Sequence, residues 1–216
     1  MDTLVFQNFK SASNKQLQEL KPSDIVLHSD DEVQANYTLV AVPTTEVLRA
    51  ISYIQSRCPD FTNHQYVYPD PELHLTVMGR IDITVDIDKI RESVKSAIQN
   101  VPIAFRMFGV ASNAHAVSIS CYPHNFDLFA LRQNIRSRMG VVGDDYSIHL
   151  AQYEHMGWIN FMRYLRKPSE EELDQFRSLI QNEFGLFKPT KLQLFRNRSK
   201  SLRQKAREFM EEFVLP

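Results

Sequence analysis

The sequence has few of the features that mark metal-binding, redox, disulfide-rich or dinucleotide-binding proteins. Only two cysteines, Cys58 and Cys121, occur in 216 residues, too few for a disulfide framework, and neither belongs to a CxxC pair. A reducing compartment is the simplest inference. The seven histidines are scattered without an HxH or HExxH pattern, and neither GxGxxG nor GxxxxGK[ST] occurs. We therefore expect no metal and no cofactor.

Long apolar segments and a strong net charge are also missing. No window reaches the roughly 18 apolar residues of a membrane span, and the N-terminus lacks a basic region followed by an apolar run, so we expect a cytoplasmic protein without membrane contact. The formal net charge of -1 gives no global attraction to nucleic acid. Basic residues do cluster between Lys188 and Arg207. This cluster is either a solvated helix face or a surface that meets phosphates.

Hydrophobic periodicity predicts the same order of elements twice. Residues 1–35 form a polar extension, and the order β-α-β-α-β then occurs in residues 36–111 and again in 112–197. A helix is predicted for residues 198–216. The repeat predicts an α+β protein of two lobes related by a pseudo-twofold axis, each a largely antiparallel sheet backed by helices, around a central cleft.

A histidine and a threonine share one face of a predicted strand in the first half. The strand lies between Pro71 and Gly79, with His74 and Thr76 on one face and Leu75 on the other. The two polar side chains would lie about 7 Å apart, which suits contact with one phosphate. Taken alone, a strand histidine is more often structural.

The matching segment of the second half also contains a histidine. It runs from Tyr153 to Leu165, and alternation places His155 and Gly157 on one face and Trp158 on the other. Two lobes that face each other would bring both imidazoles to one cleft. His149 is the main competitor for this second position, although Leu150-Ala151 follows it in a poorer motif.

The two segments resemble the motifs of the 2H phosphoesterases, which include 2′-5′ RNA ligase-like proteins and cyclic nucleotide phosphodiesterases. That family has two His-x-Thr/Ser-hydrophobic motifs roughly 80 residues apart, and here the spacing is 155 − 74 = 81. The resemblance implies metal-free action on a 2′,3′-cyclic phosphate or a 2′-5′ linked nucleotide or RNA. One of His74 and His155 would act as base and the other as acid, and Thr76 would hold a phosphoryl oxygen.

The second motif departs from the family pattern, because Gly157 stands where a hydroxyl is usual. A backbone N–H, a water or the hydroxyl of Tyr153 could substitute. The alternatives are a catalytically weak RNA- or nucleotide-binding module of the same fold, and a structural interaction domain in which both histidines are incidental. Tyr68 and Tyr153 are candidates for base stacking, and Arg80 is a candidate for phosphate contact.

One further arginine of the second segment is a candidate for a ligand contact. Arg163 shares the alternation face of His155, but eight residues of strand would place it about 26 Å away. We therefore expect Arg163 to meet a more distant phosphate or to form a surface salt bridge.

Overall fold

One antiparallel sheet unites the two halves of the chain. The computed structural model describes residues 10–11, 14–27, 32–140, 154–199 and 207–216. Within these ranges the strands are β1 (Glu32–Ala41), β2 (Tyr66–Val67), β3 (Leu75–Asp82), β4 (Phe105–Ser112), β5 (Ala116–Pro123), β6 (Gly157–Arg163), β7 (Glu183–Phe187), β8 (Lys191–Ser199) and β9 (Arg207–Val214). The helices are α1 (Thr45–Arg57), α2 (Pro59–Thr62), α3 (Ile87–Ile98), α4 (Leu128–Met139) and α5 (Glu170–Arg177). The strand order is β7-β4-β5-β6-β3-β1-β8-β9, and β2 pairs with β6 outside this path.

The predicted fold class, an α+β architecture with a repeated order of elements, is confirmed. The first half contributes β1, α1, β3, α3 and β4, and the second contributes β5, α4, β6, α5 and β7. The sheet is symmetric about its central pair, β3 and β6, because β1 and β5 flank that pair and β8 and β4 lie next to them. The centre of the sheet is therefore the place where equivalent residues of the two halves meet.

The two lobes exchange strands. A cut near residue 111 does not separate them, because β4 pairs with β5 and β7 of the second lobe, whereas β8 pairs with β1 of the first. The tight turn between β4 and β5 explains the placement of β4. The side chain of Asn113 accepts hydrogen bonds from the N–H groups of His115 and Ala116 and thereby closes that turn.

The helix predicted at the C-terminal end is wrong. Residues Arg207–Val214 form β9, which pairs antiparallel with β8 along its length. Phe209, Met210 and Phe213 fit a helical stripe, but in the structure Phe213 lies opposite Leu192 and Phe209 opposite Phe195. Cross-strand packing outweighs local helix preference in this segment.

The helices cover one face of the sheet and enclose the core there. Side chains from α1 and α3, such as Ile54 and Ile90, join Leu75 of β3 and Ile159 of β6 in one buried cluster. The described part of the predicted extension packs against this body, since Leu17 is buried and its carbonyl accepts a hydrogen bond from Arg177. The opposite face of the central strands is therefore available for a functional site. Among the described residues, no helix combines the length and the apolar character needed to cross a membrane.

Local capping signals set several helix ends. Asp86 accepts a hydrogen bond from the N–H of Asp88 at the start of α3, and Asp127 does the same for Ala130 in α4. Helix α4 ends at Gly140, whose φ of 67° is the left-handed conformation that glycine adopts readily. These ends fix the length and position of α3 and α4 against the sheet.

Candidate functional site

The centre of the sheet carries four polar or aromatic side chains on the face away from the core. Leu75 of β3 pairs with Ile159 of β6, and both side chains are fully buried in the core. The residues on either side of this pair point the other way, and all are half-buried: His74, Thr76, Trp158 and Asn160. Antiparallel register places His74 across from Asn160 and Thr76 across from Trp158.

A cavity of about 320 Å³ adjoins His74. This size falls in the usual range for small-molecule sites. Its walls come from β1, β8, β9 and the segment before β3, and they include Val40, Tyr68, His74, Phe195, Arg207 and Phe209. Thr76 lies next to this cavity, because Val40, which lines it, is opposite Thr76 in the β1–β3 pair.

The imidazole of His74 is held in its neutral form. Its Nδ1 lies 2.8 Å from the carbonyl oxygen of Glu72, and because a carbonyl only accepts, Nδ1 carries the proton. Burial lowers the pKa of His74 to about 4, and the guanidinium groups of Arg207 and Arg163 contribute to this lowering. Nε2 is then the unprotonated nitrogen near neutral pH, as a general base requires.

Two arginines approach His74 from different strands. Nη1 of Arg207, at the start of β9, lies 3.2 Å from Nδ1 of His74 and 3.5 Å from the carbonyl oxygen of Glu72. Arg163, at the end of β6, donates from Nε to the hydroxyl of Tyr68 at 2.8 Å. Burial lowers the pKa of Arg207, which is the usual result for a cation removed from water.

Neither arginine forms an ion pair with a carboxylate in the part of the chain that the structure describes, although the nearby charge of Glu72 opposes the lowering of the Arg207 pKa by burial. None of the ion pairs there involves Arg163 or Arg207. Asp70 and Glu72 also line the cavity, but the carboxylate of Glu72 accepts a hydrogen bond from the hydroxyl of Tyr66 at 2.7 Å. The cavity therefore offers the guanidinium group of Arg207 beside a neutral imidazole, and Arg163 lies behind its Tyr68 wall, which is an arrangement suited to an anion.

The structure does not place His155 in this cavity. His155 lies in a 3-10 turn before β6, and its ring stacks on Phe129 of α4 with 4.7 Å between centroids. Asn160 is the β6 residue across from His74, and His155 precedes it by 160 − 155 = 5 positions. His155 is not among the residues that line the cavity beside His74.

Gly157 faces the core. A Cβ at this position would meet the side chain of Leu75 at 3.0 Å. The predicted faces of this strand are therefore wrong: Gly157 shares the face of Leu75, whereas Trp158 shares that of Thr76. The reason is that the strand begins at Gly157, so the alternation cannot be extended back to His155.

The remaining predicted residues fall in different places. Tyr68 lines the cavity and is nearly buried. Arg80 is exposed with a left-handed φ of 57°, and two irregularities in the β1–β3 pairing separate it from Thr76, so alternation with His74 does not extend to it. Tyr153 and His149 lie outside the described residues. No group of three His, Cys, Asp or Glu side chains that could hold a metal ion lies within the described ranges.

Sequence analysis missed two residues of the site, Trp158 and Asn160. It named Arg207 only within the basic cluster, and it placed Arg163 only at a distant phosphate or a surface salt bridge. A usable pattern was present for Trp158 and Asn160. The segment Trp158-Ile159-Asn160-Phe161 has the same alternation as His74-Leu75-Thr76-Val77, with core residues at the second and fourth positions. Arg207 could not be placed beside His74, because its segment was predicted to be a helix.

Comparison with known proteins supports the fold. The chain is similar to TT0787 of Thermus thermophilus, with a TM-score of 0.57 and 14% identity over 83% of this chain and 97% of that one. Weaker similarities include a phosphoesterase (TM-score 0.49, 11% identity, 87% of this chain and 99% of that one) and Escherichia coli LigT complexed with ATP (TM-score 0.47, 10% identity, 87% and 99%). No family model and no curated protein matches the chain. The chain therefore shares the fold of TT0787, and the two-lobed α+β architecture that the repeated order of elements predicted is confirmed.

Proposed function

We propose that the chain binds a phosphorylated ligand, a nucleotide or an RNA end, in the cavity around His74. The observation that carries this proposal is the position of Arg163 and Arg207 beside a neutral imidazole, without a carboxylate partner among the described residues. Guanidinium groups bind phosphate oxygens through paired, charge-assisted hydrogen bonds. A bound phosphate would add negative charge beside these arginines.

Two further polar side chains can complete the contacts to such a ligand. Thr76 and Asn160 both lie half-buried on the face of His74. In the described part of the chain, neither side chain has a hydrogen-bond partner. Half-buried hydroxyl and amide groups usually find one, so a ligand oxygen or water is the expected partner.

Phosphodiester hydrolysis is a second candidate function, favoured by the unprotonated Nε2 of His74. This nitrogen could take the proton of a water that attacks a 2′,3′-cyclic phosphate or a 2′-5′ linkage. The leaving ribose oxygen also needs a proton, and neither Trp158 nor Asn160 can deliver one near neutral pH. We therefore expect binding with slow turnover, at least about 10²-fold below that of a site with both an acid and a base.

Calorimetry with a defined set of ligands tests binding. The wild-type chain is titrated with inorganic phosphate, 3′-AMP and 2′,3′-cyclic AMP, with a chelator present, and the products of the cyclic nucleotide are followed by mass spectrometry. Arg207→Met should weaken binding of all three ligands by about tenfold or more, because a charge-assisted contact is lost. Arg57→Met is the matched control, since Arg57 is exposed at the end of α1.

The two histidines are tested in the same assay. His74→Ala should abolish any turnover, whereas His155→Ala should change neither binding nor rate. A rate that falls equally in both variants would support the two-histidine mechanism instead. If no ligand binds to the wild-type chain, the proposed function is wrong.

A further inference from the structure

The cavity beside His74 has a second, aromatic end that is formed by β8 and β9. Phe195 of β8 and Phe209 of β9 lie opposite each other in the sheet, with ring centroids 5.9 Å apart and an interplanar angle of 72°. Both line the cavity, and Phe209 remains 54% exposed. A large aromatic side chain that lines a cavity and stays open to solvent provides a surface for stacking.

The cation and the aromatic surface lie side by side on one strand. Arg207 and Phe209 are two residues apart in a regular stretch of β9, so both project to the same face, about 7 Å apart. Both line the cavity. A ligand whose phosphate contacts Arg207 would therefore direct its neighbouring group over Phe209.

A carboxamide with a fixed orientation completes this end of the cavity. Gln193 lines the cavity, and its Nε2 donates to a carboxylate oxygen of Glu212 at 2.9 Å. Lys191 also contacts that carboxylate, at 2.8 Å, and these two contacts hold the pKa of Glu212 below its usual range. An ionised carboxylate only accepts hydrogen bonds, so Gln193 must turn its NH₂ toward Glu212 and keep its carbonyl oxygen as an acceptor.

We infer that the β8–β9 hairpin forms a nucleobase subsite, in which the base stacks on Phe209 and Phe195 and its exocyclic amino group donates to Gln193. This inference rests on the proposed function, because the phosphate of the same ligand occupies the Arg163–Arg207 end. It adds the chemical class of the ligand: a nucleotide whose base carries an amino group, such as adenine. The predominantly apolar wall, which includes Val40 and Leu48, suits a planar base better than a sugar.

Ligands that share a phosphate but differ in the base test this subsite. Calorimetry compares ribose 5-phosphate with the 3′- and 5′-isomers of AMP and IMP at one salt concentration. The better AMP isomer should bind at least about tenfold more tightly than ribose 5-phosphate, because stacking adds to phosphate contact. Phe209→Leu should remove this gain in affinity without weakening the binding of ribose 5-phosphate. Phe209→Tyr should retain the gain.

A control and a second variant separate the parts of the inference. Val214→Ala, on the same strand but 78% exposed and outside the cavity, should leave every affinity unchanged. IMP lacks the amino group and should bind about tenfold more weakly than AMP, and Gln193→Ala should abolish that difference. Equal affinities for AMP and ribose 5-phosphate would overturn the nucleobase subsite, and so would an equal loss of affinity for both ligands in Phe209→Leu. Either result would leave the proposal of phosphate binding intact. Failure of every ligand to bind would overturn the proposed function as well.

Discussion

Leu75 of β3 lies directly opposite Ile159 of β6, at the centre of the sheet where the two halves of the chain meet. Beside this pair, on the face away from the core, lie His74 and Thr76 of β3 and Trp158 and Asn160 of β6. An imidazole and a hydroxyl in the first half are thus matched by an indole and a carboxamide in the second. Trp158 and Asn160 can stack and hydrogen bond, but neither can transfer a proton near neutral pH.

Introducing an imidazole and a hydroxyl at positions 158 and 160 should create hydrolytic activity. In Trp158→His/Asn160→Thr, both halves of the central pair carry an imidazole and a hydroxyl on the cleft face. We expect hydrolysis of 2′,3′-cyclic AMP to rise by about 10²-fold or more, because general acid catalysis is added to general base catalysis. The measurement is the initial rate by chromatography, with a chelator present.

The same pair of substitutions in a His74→Ala background is the control, and it should show no gain. Equal rates for wild type and the double variant, with unchanged circular dichroism, would show that Trp158 and Asn160 do not occupy the second catalytic position.

The neutral state of His74 should make stability depend on pH. Its pKa in the folded protein is about 4, against about 6.5 in an unfolded chain. Between these values the unfolded state binds a proton that the folded state does not, so the free energy of unfolding falls as pH falls through this window. His74→Gln should flatten the slope by at most about 1.4 kcal/mol per pH unit, as measured by urea denaturation from pH 4 to pH 7.

Phosphate gives an internal check on that result. A bound anion stabilises the imidazolium. Saturating phosphate should therefore reduce the difference between wild type and His74→Gln in the pH dependence of the free energy of unfolding. An identical pH dependence for the two proteins without phosphate would contradict a lowered pKa at His74.

Arg132 of α4 should be important for stability, because it joins the two central strands. Its buried guanidinium donates to the carbonyl oxygens of Val77 at 2.6 Å and Glu154 at 2.7 Å, with longer contacts to Thr76 and Met156. Arg132→Met would leave these buried acceptors without donors and should cost about 2–4 kcal/mol in the free energy of unfolding. The measurement is chemical denaturation.

Arg138→Met is the matched control on the same helix. Arg138 is exposed and contacts the side chain of Asn134, at 2.8 Å, so its loss should cost less than about 0.5 kcal/mol. Comparable losses in the two variants would rule out a special role for Arg132.

Gly157→Ala should affect packing rather than ligand binding. The new methyl group would meet Leu75 at 3.0 Å, a contact that a flexible side chain can relieve only in part, so we expect a loss of about 1 kcal/mol. Combination with Leu75→Val should cost less than the sum of the two single changes, because the smaller side chain makes room. An unchanged phosphate affinity is expected. A selective loss of binding or turnover would instead support a functional role for Gly157.

Much of the first half-site was predictable because it depends on local alternation. His74 and Thr76 follow a proline-rich segment and alternate with Leu75 and Val77, which are fully buried. The repeated order of elements also followed from periodicity, and it led to the correct central strand of the second half. Tyr68, predicted as a candidate for base stacking, lines the cavity but is nearly buried.

For the second half-site, the tetrapeptide match and the strand register indicate different residues. His155 precedes the strand, whereas the pairing of Leu75 with Ile159 places Trp158 and Asn160 beside His74 and Thr76. Arg207 reaches His74 because β8, its partner strand, pairs with β1 in a distant part of the chain, and the apolar residues of its own segment also fit a helix. Long-range pairing of this kind leaves no local pattern.

The exchange of strands between the lobes has a consequence for folding. The walls of the cavity come from β1 and from β8 and β9, and the paired residues Val40 and Gln193 are 193 − 40 = 153 positions apart. Loop closure over such a distance is slow and is opposed by chain entropy, whereas the β4–β5 hairpin can form locally. We therefore expect the cavity to be among the last features to form, so that ligand affinity during refolding reports on completion of the whole sheet.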